Sequence, residues 1–149
     1  MSNDIERFVQ AALYRLYDRD AEILRNDVNE RTITHKLAEY LEPEFPGWNV
    51  DCEYNRNHDQ TKKLQSLRGD VAPIDDTDGI SVFPDIIVHK RITDENLLVI
   101  EVKKSTSRKS PDFDKQKLLA FKEELNYQHA LFLQVTTGKN ELSAKLEWM

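Results

Sequence analysis

Two stretches decide the fold of this chain: VFPDIIV at 82–88 and LLVIEVK at 97–103. Both are short, rich in β-branched residues and bounded by turn-formers, so they read as strands. Between them residues 89–96 (HKRITDEN) are mostly polar, and the Thr-Asp-Glu-Asn end favours a turn. A hairpin follows. With its turn centred near Asp94, Asp85 falls opposite Lys103 and diagonal to Glu101, roughly 5 Å and roughly 7–8 Å apart at Cβ. Period-two alternation puts Glu101 and Lys103 on one face and Val102 on the other. Two acids and one lysine are thereby expected at one edge of a sheet.

An acid inside an apolar strand is costly unless a counter-charge or a metal compensates it. Asp85 sits among Phe83, Ile86 and Ile87, and Glu101 between Ile100 and Val102. One account is a buried salt bridge in which Lys103 pairs with one carboxylate and no chemistry follows. The other starts from the charge: two carboxylates and one lysine leave a net negative site, which a bound cation balances better.

The rest of the chain supplies helices around these strands. Ile5, Phe8, Val9, Ala12, Leu13 and Leu16 recur at helical spacing, so the first helix is expected to reach roughly Leu24. The stretch 26–29 (NDVN) interrupts it, and Asn29 suits the N-cap of a second helix carrying Ile33, Leu37 and Leu41 on one face. Residues 48–54 (WNVDCEY) alternate as a strand. Ser110 and Pro111 signal a helix start, with Leu118, Phe121 and Leu125 on one face. Residues 130–135 (ALFLQV) read as a buried strand, and 141–148 as a short terminal helix.

Pro84-Asp85 followed by Glu101-Val102-Lys103 resembles the signature of the PD-(D/E)XK nuclease superfamily, whose halves lie on adjacent strands in the same way. The resemblance covers nearly the whole chain. It implies an α/β fold of the restriction-endonuclease-like kind: an αβββαβ core, a central mixed sheet flanked by helices, and here an extra N-terminal helix. Residues 1–149 then form a single nuclease-like domain, with 55–80 as a long loop.

That superfamily often carries a glutamate on the helix before the sheet, and Glu30 is the candidate. It shares a helical face with Ile33, Leu37 and Leu41. The helix dipole alone also favours an acid in a first turn, by about 0.3–1 kcal/mol. Glu6 and Glu22 are weaker alternatives. Lys117, with Gln116 equally eligible, resembles a position where the superfamily keeps a basic or amide residue near the site.

The implied activity is Mg²⁺- or Mn²⁺-dependent hydrolysis of phosphodiester bonds in DNA, RNA being the alternative substrate, by endo- or exonucleolytic cleavage. Asp85, Glu101 and the Val102 backbone carbonyl would hold the metal, since hard cations take oxygen ligands. Lys103 would orient the attacking water or stabilise charge on the phosphorane, and Glu30 would hold a water or a second ion. Lys104, Arg108, Lys109 and Lys117 would contact the nucleic acid. Double-strand cleavage by so small a domain calls for two sites, hence a homodimer or a larger complex. A catalytically silent binding or scaffolding subunit that keeps the fold is the competing reading.

Composition narrows the remaining classes. At 149 residues the chain can bury a real core. It has no apolar run long enough to cross a bilayer and no signal peptide, and its one cysteine, Cys52, suits a reducing cytoplasm. The formal charge of −6 runs against dominant sequence-independent phosphate contacts, which favour basic domains. His35, His58, His89 and His129 form no metal-ligand spacing and read as surface or core-edge residues. Four glycines make no phosphate loop. Lys62, Lys63 and Arg68 lie in the 55–79 segment; a loop this long is functional or disordered, closing over nucleic acid or simply mobile.

Overall fold

The computed structural model describes residues 2–54, 56–57, 60–61, 63–64, 80–81 and 83–149, with the side chains of 2–3 and 55–82 outside that description. The loop expected at 55–80 therefore lies largely outside the described residues. So do Lys62, Arg68 and the Lys63 side chain. What is described there are four two-residue strands: β2 (Arg56–Asn57) with β3 (Gln60–Thr61), and β4 (Lys63–Leu64) with β5 (Ile80–Ser81).

The fold is α/β, with a five-stranded mixed sheet between helices. Helix α1 (Ser2–Arg19) and the short α2 (Ala21–Arg25) meet at Asp20, so the expected first helix is broken one turn before its end. Helix α3 (Glu30–Leu41) starts where expected: the Asn29 side chain accepts a hydrogen bond from the Thr32 N–H at 2.8 Å. Strands β1 (Asn49–Cys52), β6 (Ile86–His89), β7 (Asn96–Lys104), β8 (His129–Val135) and β9 (Ala144–Trp148) form the sheet in the order β1-β6-β7-β8-β9. Helix α4 (Asp112–Leu125) makes the crossover that lets β7 and β8 run parallel. It ends at Asn126, whose left-handed φ of 57° closes the last turn.

Alternation along the strands splits the core in two. Ile86, Val88, Leu98, Ile100, Val102, Leu131, Leu133 and Val135 pack against α1 and α3. Ile87, Val99, Ala130 and Phe132 pack against Leu118 and Phe121 of α4. Glu101 and Lys103 share the Val99 side, so both carry their charge under α4.

Three expectations need correction. The terminal helix expected over 141–148 is instead β9, an antiparallel edge strand on β8. The hairpin register differs by two: Ile86 pairs with Ile100, so one further step sets Asp85 opposite Glu101 rather than Lys103. An even shift preserves side-chain faces, and the grouping of Asp85 with Glu101 on one side survives it. The strand expected at 82–88 begins only at Ile86. Pro84 has no N–H, and the Asp85 N–H donates to a side chain instead of to the ladder.

Candidate active site

Asp85 and Glu101 hold each other through the backbone. The Asp85 N–H donates to Glu101 Oε2 at 2.9 Å, and the Val102 N–H donates to Asp85 Oδ2 at 2.8 Å. Each carboxylate thus satisfies a main-chain donor at the end of the other's strand. The reciprocal arrangement fixes both rotamers.

Lysines complete the cluster, but not as the sequence suggests. Lys117 on α4, not Lys103, meets Glu101: its Nζ lies 3.0 Å from Glu101 Oε1 and also donates to the Phe83 carbonyl at 3.0 Å. Lys103 turns to Asp114, one turn earlier on α4, at 2.7 Å. Gln116 is exposed, which settles the choice between neighbours on geometry. The sequence reading missed Asp114. Its signal is visible in hindsight, because 114 precedes 118, 121 and 125 on the same buried stripe of α4.

Burial governs the electrostatics. Glu101 is only 2 % exposed, and burial followed by the charge of Asp85 pushes its carboxyl up to about 8. Burial likewise raises Asp85 to about 6, against the opposing Val102 hydrogen bond. Burial alone would lower Lys117, but Glu101, Asp85 and Asp114 more than offset it and hold the ammonium charged. With both acids ionised the trio carries one net negative charge. One proton on the carboxyl pair, or an added cation, neutralises it.

Glu30 reaches the same region from the other layer. Its Oε2 accepts the Lys104 N–H at 3.0 Å, tying the first turn of α3 to the end of β7. Glu30 and Asp85 both line a cavity of about 680 Å³, together with Arg31, His35, Cys52 and Glu53. Burial, then Glu53 and Asp85, raise the Cys52 thiol to about 11, which favours the thiol over the thiolate. Glu6 and Glu22 lie elsewhere: Glu6 accepts from the Trp148 indole at 2.8 Å, and Glu22 is exposed on α2.

The donor set consists of oxygens, which suits Mg²⁺ or Mn²⁺. Among the described residues no group of three or more His, Cys, Asp or Glu side chains is placed to hold a metal ion. Mg²⁺ requires fewer, because it binds through one or two carboxylates and keeps several waters or substrate phosphates. Asp85 Oδ1 and Glu30 Oε1, on two residues lining the same cavity, accept none of the hydrogen bonds formed among the described residues. Glu101 Oε1 is held by Lys117. At Val102 the N–H is taken up by Asp85 Oδ2.

Of the residues expected to contact nucleic acid, Lys104 is paired with Asp27 at 3.1 Å and Lys117 is buried on Glu101. Arg108 and Lys109 are exposed. At the other end of β6, His89 is a core residue, only 4 % exposed, with Nε2 2.7 Å from Asp51 Oδ2. The hydrogen bonds from His89 and Arg91 outweigh burial and hold Asp51 down to about 2, a pairing that locks β1 to β6. No helix among the described residues is long and apolar enough to cross a membrane. Compared with models of known families, with curated proteins and with solved structures, the chain matches none.

Proposed function

We propose that this chain is a metal-dependent nuclease that hydrolyses phosphodiester bonds at the Asp85–Glu101 edge of the sheet. The observation that carries the reading is the reciprocal bonding of two buried carboxylates, Asp85 N–H to Glu101 and Val102 N–H to Asp85. Structure-building alone does not require two acids in an apolar strand pair, since apolar residues of similar volume serve as well or better. The succession α3, β1, β6, β7, α4, β8 also supports it, being the αβββαβ order the resemblance implies.

In this mechanism Asp85 and Glu30 present their remaining oxygens to the cavity, each held in place by a backbone N–H of β7. They would hold a Mg²⁺ or Mn²⁺, whose chemistry there would be to polarise the phosphoryl oxygen and acidify a water. Glu101 braces Asp85 through its N–H. Lys103, with its ammonium fixed by Asp114, keeps positive charge beside the phosphorane. Lys117 neutralises Glu101 until that carboxylate is needed.

The test is cleavage of single- and double-stranded DNA and RNA with Mg²⁺ or Mn²⁺ by wild type, Asp85→Ala and Lys103→Ala. Both substitutions are expected to lower the rate by at least about a hundredfold, the scale of a lost charge-stabilising contact. Variants as active as wild type would remove the site. One observation favours a second reading, a silent nucleic-acid-binding module: Lys103 and Lys117 are each already paired with an acid. An inactive wild type that still binds nucleic acid selects it.

A further inference from the structure

A second cavity, about 490 Å³, lies on the α4 face between the start of that helix and strands β8 and β9. Its size is that of a small-molecule or nucleotide site. Lys103, Lys109, Lys115 and Lys145 line it against a single acid, Glu147. In a chain of net charge −6 this concentration of positive charge is local and specific.

The pairing inside the cavity leaves charge to spare. Lys103 is engaged by Asp114, and Lys115 by Glu147 at 3.0 Å. Lys109 and Lys145 have no acidic partner among the described residues. The Lys115–Glu147 pair is partly exposed, and such a pair exchanges readily for a stronger anion. Lys115 also stands 5.3 Å over the Phe132 ring, an aromatic surface on the cavity wall. Ser107 and Gln134 add neutral hydrogen-bonding groups.

Lys103 joins this cavity to the proposed active site, because it follows Glu101 by two residues on the same face of β7. Strand β9 supplies Lys145 and Glu147, whose side chains share the face of their β8 partners Gln134 and Phe132. The site therefore exists only because residues 144–148 form a strand.

We infer that the cavity bounded by Lys109, Lys115 and Lys145 binds a phosphate of a single nucleic-acid strand and presents the adjoining segment to Lys103. This deepens the nuclease reading and rests on it for the identity of the ligand. A cavity of this size admits one nucleotide and not a duplex, so the strand enters it unpaired. The same chemistry would also accept a free mononucleotide, and the experiment separates the two.

The probe is a 3′-fluorescein-labelled single-stranded 12-mer, followed by fluorescence anisotropy in EDTA over a range of NaCl concentrations. Lys109→Ala/Lys145→Ala is compared with wild type and with Lys36→Ala/Lys90→Ala, which removes equal charge far from the cavity. The cavity pair is expected to weaken binding at least about tenfold and to flatten the log–log salt slope by about 1.4, at roughly 0.7 per lost phosphate contact. The distal pair should leave the slope unchanged. Equal weakening in both pairs, no weakening in the cavity pair, or absence of binding by wild type overturns the inference. So does displacement of the 12-mer by an equal concentration of adenosine monophosphate, which would assign the cavity to free nucleotides. EDTA prevents metal-dependent cleavage, so failure here is separate from failure of the Asp85→Ala cleavage test.

Discussion

At the scale of single residues, the pH behaviour of Glu101 is the sharpest consequence of the site. A glutamate carboxyl ordinarily titrates near 4.5, and burial and Asp85 push this one up to about 8. Between those values the native state keeps a proton that the unfolded chain has released. Stability from this group is therefore complete below about pH 4.5 and declines as pH rises toward 8. Asp85, raised to about 6, acts in the same direction over a narrower window. Asp51, held down to about 2, contributes stability above 3.8 that is lost only as pH falls below it, outside this window. His129, lowered by burial, works weakly the other way, and a difference measurement cancels it. Urea unfolding in EDTA at pH 5 and pH 8 should show wild type losing stability that Glu101→Gln does not, on the order of 3 kcal/mol at about 1.36 kcal/mol per unit. Parallel profiles in the two proteins would contradict a native-state proton on Glu101. Those two acids are legible in the sequence because an acid inside an apolar strand stands out against its neighbours. Lys117 and Asp114 are not, since which lysine meets which acid depends on how α4 lies across the sheet.

At the scale of elements, the last strand separates propensity from pattern. Residues 141–148 (ELSAKLEW) hold several good helix formers, which is why a helix is the natural first reading. Yet 144–148 alternates apolar and polar, and Ala144, Leu146 and Trp148 pack on the α1–α3 core while Lys145 and Glu147 face away. Pairing with β8 overrides the propensity. As an edge strand β9 has one partner, so its amides alternate in protection. The Met149 N–H donates to the Ala130 carbonyl, and the Thr136 N–H to the Ser143 carbonyl, which fixes the phase. Amide exchange followed by NMR should protect 145, 147 and 149 and leave 144, 146 and 148 fast. Consecutive protection across 144–148 would mean a helix, and the lysine-lined cavity would lose Lys145. The hairpin register teaches a related lesson. Turn length is decided by a bulge at Val88/His89 and by left-handed Ile92, neither of which a β-branched residue advertises. The strands were nonetheless readable, because their faces depend only on parity.

At the scale of the whole molecule, the proposed metal site would couple cation binding, proton release and folding in one equilibrium. Two layers of helix enclose a sheet whose strand ends carry Asp85 and Glu101, Glu30 reaches β7 from the first turn of α3, and all three carboxylates are held by backbone N–H or lysine donors. A cation that binds this folded arrangement and not the unfolded chain stabilises the fold, by about 2.7 kcal/mol at a hundred times its dissociation constant. For a chain of 149 residues that corresponds to a rise in melting temperature of roughly 5–10 °C. Binding must also expel the proton that burial favours on these carboxyls, so the rise should be larger at pH 8 than at pH 6. Differential scanning calorimetry of wild type and Asp85→Asn, with Mn²⁺ and with EDTA, reads this directly. Wild type should gain thermal stability with Mn²⁺, more so at the higher pH, and Asp85→Asn should gain little at either. A matching gain in Asp85→Asn would place the ion elsewhere. No gain in wild type would leave Lys117 as the cation of this site, and the chain as a binding module rather than a nuclease.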